Sequence, residues 1–129
     1  MHVTHLASNG FYSVSVDVAQ KRLHLFLAGT WLNANQVPNW LDDVKAGLRM
    51  LPAGFTVLTN STKLNGILRL DLVVEAQRLI LEAGPRKAAL VYDPKKVVAK
   101  SLMDAAAQDS GLAVKPFIDP VEAEKYLAG

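Results

Sequence analysis

The chain contains 129 residues, 50% hydrophobic, 20% charged and without cysteine, the size and composition of a single globular domain, 1–129, that can bury a core without disulfides or structural metal. The missing cysteine excludes thiol catalysis, zinc knuckles and oxidative staples. Fourteen Lys and Arg against twelve Asp and Glu leave a formal charge of +2, too small an excess to drive nucleic-acid binding, and no run reaches the roughly 18 apolar residues of a membrane span.

Polar and small residues interrupt Met1 to Gly10, so this stretch lacks the apolar run of a secretory signal; a flexible tail over residues 1–10 and a cytoplasmic protein are expected. Tyr12, Val14, Val16 and Val18 then alternate with Ser13, Ser15 and Asp17, the period of a half-buried strand. A short polar gap separates this run from a second one, Leu23 to Ala28, which predicts an antiparallel hairpin. Val37, Leu41, Val44, Leu48 and Leu51 fall four, three, four and three residues apart, the spacing of a helix with one buried face. Asn33 or Asn35 can cap it, Pro38 fits only its first turn, and Pro52 and Gly54 end it.

Phe55 to Thr59 reads as a buried strand and Asn60 to Gly66 as the loop after it. A second helix is expected over about Ile67 to Ala83, stopped by Gly84 and Pro85. Ala88 to Tyr92 is the next strand. Asp93 and Pro94 suit the cap and first position of a third helix that runs to Gly111. Ala113 to Ile118 is a last strand, placed at a sheet edge by Pro116, and Asp119, Pro120 and Glu122 open a short final helix. The order β-β-α-β-α-β-α-β-α predicts an α/β fold with a mixed, mostly parallel sheet of about five strands.

This order of elements resembles the STAS domain, the fold of anti-sigma-factor antagonists. Gly29 to Pro38 is similar to that family's Gly-Glu-Leu-Asp-x-x-Thr-Ala-Pro segment before its first helix, with one residue inserted and Asn33 in place of Asp. Leu90 to Pro94 with Val97, then Gly111, Leu112, Phe117, Asp119, Val121, Glu122 and Ala123, resemble its closing pattern. The resemblance implies a non-enzymatic regulatory module that binds a protein partner or a second copy of itself. It departs from the family where a phosphorylated serine opens the second helix: Thr59 stands where the preceding strand usually has Asp, and Ile67, Leu68, Arg69 and Leu70 carry no hydroxyl. The chain therefore resembles a branch of the fold without that switch, a branch with a suggested relation to lipid-binding domains. Ser61 and Thr62 are the nearest hydroxyls and the candidate phosphorylation sites; the other reading makes them turn residues.

The candidate partner surface comprises Asn60, Ser61, Thr62, Lys63, Asn65, Gly66, Leu68, Arg69 and Leu72. Leu68, Leu72, Val73, Leu79, Ile80 and Leu81 spread wider than one helical stripe, which suits either a face kept for a partner or a helix buried on two sides by its own chain. Arg86, Lys87, Lys95, Lys96 and Lys100 form the main charge cluster, a candidate site for a small anionic or lipid ligand, against the alternative of solvated lysines. A small-molecule or lipid binder with a pocket between helix and sheet is the alternative function. His2 and His5 have the spacing of a metal pair but no carboxylate to complete it, and Asp71, Glu75 and Arg78 have the spacing of a surface ion-pair ladder. No Gly-rich phosphate loop or serine elbow occurs, and no cofactor is expected.

Overall fold

The computed structural model describes residues 3–129. The alternating segments form the hairpin first: β2 (Tyr12–Asp17) and β3 (Arg22–Trp31) pair antiparallel and put Val14, Val16, Leu23, Leu25 and Leu27 on one buried face. β4 (Thr56–Ile67), β5 (Lys87–Val91) and β6 (Lys115–Phe117) then add in parallel, in chain order. The three crossovers carry α1 (Trp40–Arg49), α2 (Leu70–Ala83) and α3 (Val97–Ser110), and α4 (Pro120–Ala128) follows β6. The main core lies between the first three helices and the sheet. α4 packs over β4, β5 and β6, where Ala123 and Leu127 meet Ala89 and Val91.

The mixed, mostly parallel α/β class is as expected, with one strand more. Residues Val3–Asn9, expected within a flexible tail, form β1, antiparallel to β2. A bulge between His5 and Ala7 breaks the alternation of this strand, and Leu6 packs against the core. No helix among the described residues is long and apolar enough to cross a membrane.

Local chemistry accounts for the shifted boundaries. Asn33 caps a single 3-10 turn at Ala34–Gln36, with its carboxamide oxygen accepting from the Asn35 N–H at 3.0 Å and Gln36 Oε1 accepting from the Asn33 N–H at 3.0 Å. Pro38 therefore stands before α1, which begins at Trp40. The Asp93 carboxylate accepts the Lys95 N–H at 2.9 Å and caps a turn, so α3 begins four residues later, at Val97. Gly84, at φ 83°, terminates α2 in the left-handed conformation that glycine adopts without strain. Gly47 lets α1 lie close on the hairpin: a Cβ there would sit 2.8 Å from Leu23 Cδ1.

Candidate partner-binding site

Residues 60–66, read as a loop, are the second half of β4. This half pairs with β3 alone, because the register with β5 ends at Asn60 and Val91, and two irregularities in the β3 pairing carry it through to Ile67 opposite Trp31. Ser61, Leu64 and Ile67 are buried. Ser61 is 1% exposed and donates its hydroxyl to the Val91 carbonyl at 3.4 Å, and Thr62, half-buried, donates to Asn60 Oδ1 at 2.7 Å. A kinase reaches the Ser61 hydroxyl only after β4 has opened.

Lys63 and Asn65 remain exposed on β4, and Gly66 is half-buried. The chain then turns out of the sheet. The Leu68 N–H donates to the Trp31 carbonyl at 2.8 Å, which places Leu68 beside Leu32, the residue that follows β3. Leu68 is 74% exposed and Leu32 52%. Lys96 Nζ donates to Asn65 Oδ1 at 2.9 Å and brings the start of α3, with Val97 71% exposed, to the same end of the sheet. Leu32 and Leu68 thus stand exposed side by side, and the exposed Val97 follows the lysine that reaches Asn65.

Arg69 and Asp71 are exposed and paired at 2.8 Å. The carboxylate holds the Arg69 guanidinium above its ordinary range, chiefly by hydrogen bonding, and the guanidinium holds Asp71 below the ordinary carboxylate range. The expected ladder of Asp71, Glu75 and Arg78 does not form, since Asp71 turns to Arg69 and Arg78 reaches Asp109 at 3.5 Å. Leu72 is half-buried, and its carbonyl accepts the Trp40 indole N–H at 2.9 Å. Beside it an open groove of about 450 Å³ runs along Pro38, Leu41 and Lys45. α2 packs against α1 on one side and α3 on the other, so burial on two sides accounts for most of its wide apolar surface. The strongly exposed leucine of this region, Leu68, lies just before the helix.

The basic residues do not gather into one anion site. Arg86 and Lys87 stand at the start of β5 and hold the end of α4: Arg86 donates to the Leu127 and Gly129 carbonyls, and Lys87 donates to the Tyr126 carbonyl at 2.9 Å and lies 4.6 Å over its ring. These cations complement the carbonyl-rich end of the helix. Lys95, Lys96 and Lys100 stand past the other end of β5, with Lys100 held by Asp104 at 2.7 Å and by the Tyr92 ring. The rest of β5, Ala88 to Val91, lies between the two groups.

Of the candidate metal pair, His2 lies outside the described residues and His5 meets Ser15 at 3.3 Å. His24 is half-buried on β3. Burial pushes its pKa below the ordinary value of 6.5, the Arg22 cation pushes the same way, and Glu124 and Asp17 oppose them. The unfolded chain therefore binds this proton more readily than the folded one. Stability is expected to fall as pH drops through about 6.5 and to keep falling to the folded pKa. Urea midpoints between pH 8 and pH 5 check this, and His24→Gln should flatten that part of the profile while the wild type retains its slope.

No protein-family model and no curated protein matches the sequence. Solved structures do match the fold, two of them as follows. One is an uncharacterized protein of the DUF3478 family with a SpoIIAA-like fold from Shewanella loihica PV-4, 16% identical, with a TM-score of 0.60 over 94% of this chain and 97% of that one. The other is apo-SiaC from Pseudomonas aeruginosa, 15% identical, with a TM-score of 0.50 over 90% of this chain and 98% of that one. The sheet order, the helix placement and these two likenesses agree: the chain has a SpoIIAA-like, STAS-type fold.

Proposed function

We propose that the protein is a non-enzymatic, cytoplasmic regulatory module that binds a protein partner through the carboxyl-terminal edge of its parallel strands. The observation that supports this reading most is the joint exposure of Leu32, Leu68 and Val97 on three loops held together by the Trp31 to Leu68 and Lys96 to Asn65 hydrogen bonds. Apolar side chains on the loops of a rigid sheet form a ready binding surface, and leaving them in water has no structural benefit for the monomer. Lys63 and Lys95 are exposed on the same segments, with Arg69 paired to Asp71 and Lys96 to Asn65, and suit a partner with an apolar centre and an acidic rim.

A photo-crosslinking residue at position 68, in cells of the host, is expected to trap one protein reproducibly, and the same residue at Val18, at the far end of β2, to trap none. Equal trapping at both positions, or none at 68, contradicts the proposal. Trapping of a second copy of this chain identifies the partner as itself.

In this reading the module works without the serine switch of the STAS family that its sequence resembles. No residue from Ile67 to Leu70 has a hydroxyl, and Ser61 is buried under its bond to Val91. Incubation with a kinase that phosphorylates STAS domains is expected to leave the protein unlabelled, as read by intact mass. A stoichiometric label on Ser61 or Thr62 would restore the switch.

A further inference from the structure

We propose that Asn65 is a site of self-deamidation: the backbone nitrogen of Gly66 attacks the Asn65 carboxamide, the Lys96 ammonium assists, and the residue is converted to aspartate or isoaspartate. The chain contains two Asn-Gly pairs, Asn9-Gly10 and Asn65-Gly66. A glycine after asparagine has no side chain to shield its nitrogen, and its backbone turns freely into the attacking conformation. Both pairs have this chemistry, so their surroundings in the fold decide between them.

Asn65 is exposed at an irregularity of β4: Leu64 lies opposite Gly29 and Gly66 opposite Thr30, which leaves Asn65 as the extra residue of a bulge. The other side of β4 is unpaired here, since the register with β5 ends at Asn60. The Asn65 carboxamide has one hydrogen bond among the described residues, from Lys96 Nζ to Oδ1 at 2.9 Å. That ammonium draws electron density from Cγ and meets the negative charge that Oδ1 acquires as the Gly66 nitrogen adds. Asn9 is held at both ends instead. Its Oδ1 accepts the Phe11 N–H at 2.8 Å and the Tyr12 N–H at 3.2 Å, and its Nδ2 donates to the Gln36 carbonyl at 2.9 Å. These bonds have to break before the Asn9 carboxamide can turn onto the Gly10 nitrogen.

In the reaction the Gly66 amide loses its proton to hydroxide or buffer base and its nitrogen bonds to Asn65 Cγ. Nδ2 takes up a proton and leaves as ammonia, and a cyclic imide remains. Water then opens the imide at either carbonyl, to aspartate or to isoaspartate; the sum is one water consumed and one ammonia released, with no change of oxidation state. Aspartate gives Lys96 an anionic partner in place of a neutral one, and isoaspartate adds a methylene to the backbone of β4.

The folded protein is aged in mildly alkaline buffer and both Asn-Gly peptides are followed by mass spectrometry. Asn65 is expected to convert at least about tenfold faster than Asn9, and in urea, where these surroundings are lost, the two rates should agree within about twofold. Lys96→Met should slow Asn65 about fivefold and leave Asn9 unchanged, and Lys96→Arg, which keeps a cationic donor, should restore most of the rate. Gly66→Ala should nearly stop conversion at Asn65 in a folded protein, since the added Cβ meets only Thr30 Cγ2, at 3.9 Å. The proposal is overturned if Asn65 stays intact in the folded protein, if it converts no faster than Asn9, or if Lys96→Met does not slow it.

Discussion

Replacing Trp40 with alanine is expected to cost about 3–5 kcal/mol of folding stability, a large part of the roughly 5–15 kcal/mol that holds a domain together. Trp40 is fully buried at the first turn of α1 and joins three parts of the fold. Its ring meets Tyr12 of β2 edge-on at 5.1 Å and Trp31 of β3 at 5.2 Å, and its N–H donates to the Leu72 carbonyl of α2 at 2.9 Å. Alanine there leaves a void next to a small cavity of about 40 Å³ that Trp40, Val73 and Ile80 already line, so little nearby material can collapse into it. Trp40→Phe keeps part of the ring contact and loses the hydrogen bond, and should cost about 1–2 kcal/mol. Urea denaturation checks both. A loss below about 1 kcal/mol for Trp40→Ala would mean that α1 is held from elsewhere.

The second large effect is on binding and leaves stability alone. Leu68→Asp is expected to weaken the partner complex by at least about 2 kcal/mol, or about thirtyfold in Kd. A carboxylate at the centre of an apolar contact loses its water without gaining a counter-ion, and the acidic rim expected of the partner repels it. Leu68 is 74% exposed and its N–H bond to Trp31 involves only backbone, so the melting temperature should stay within about 2 °C of wild type. Calorimetry against the cross-linked partner measures the first quantity and thermal denaturation the second. Unchanged affinity at equal stability would move the interface away from this edge.

Most of the fold was legible because its signals are local. Tyr12 to Val16 and Leu23 to Leu27 alternate cleanly, the α1 face repeats at three and four residues, and Gly84 and Gly111 do stop α2 and α3 in left-handed caps. β1 was missed because its bulge at Leu6 interrupts the alternation on which strand recognition rests. The second half of β4 was missed for a related reason. Asn60 to Gly66 has turn-like composition, and its strand pairing depends on β3, some thirty residues away in sequence, with two irregularities in the register.

The candidate site divides in the same way. Lys63, Asn65, Leu68 and Arg69 are exposed, although the loop they were assigned to is mostly strand. Leu32 and Val97 gave no signal in the sequence, because the pairing of β3 with β4 is what sets Leu32 beside Leu68 and the Lys96 to Asn65 bond is what brings the start of α3 to β4. The basic cluster failed for the opposite reason: Arg86 and Lys100 are close in sequence and are separated by β5 in space.

Amide chemical-shift mapping of the labelled protein with its cross-linked partner locates the interface directly. The perturbed residues are expected to concentrate on Leu32 to Asn35, Asn65 to Leu72 and Asp93 to Val98, the segments that leave the carboxyl ends of the parallel strands. Perturbation confined to β1, to the Val18 to Lys21 turn or to α4 would contradict it.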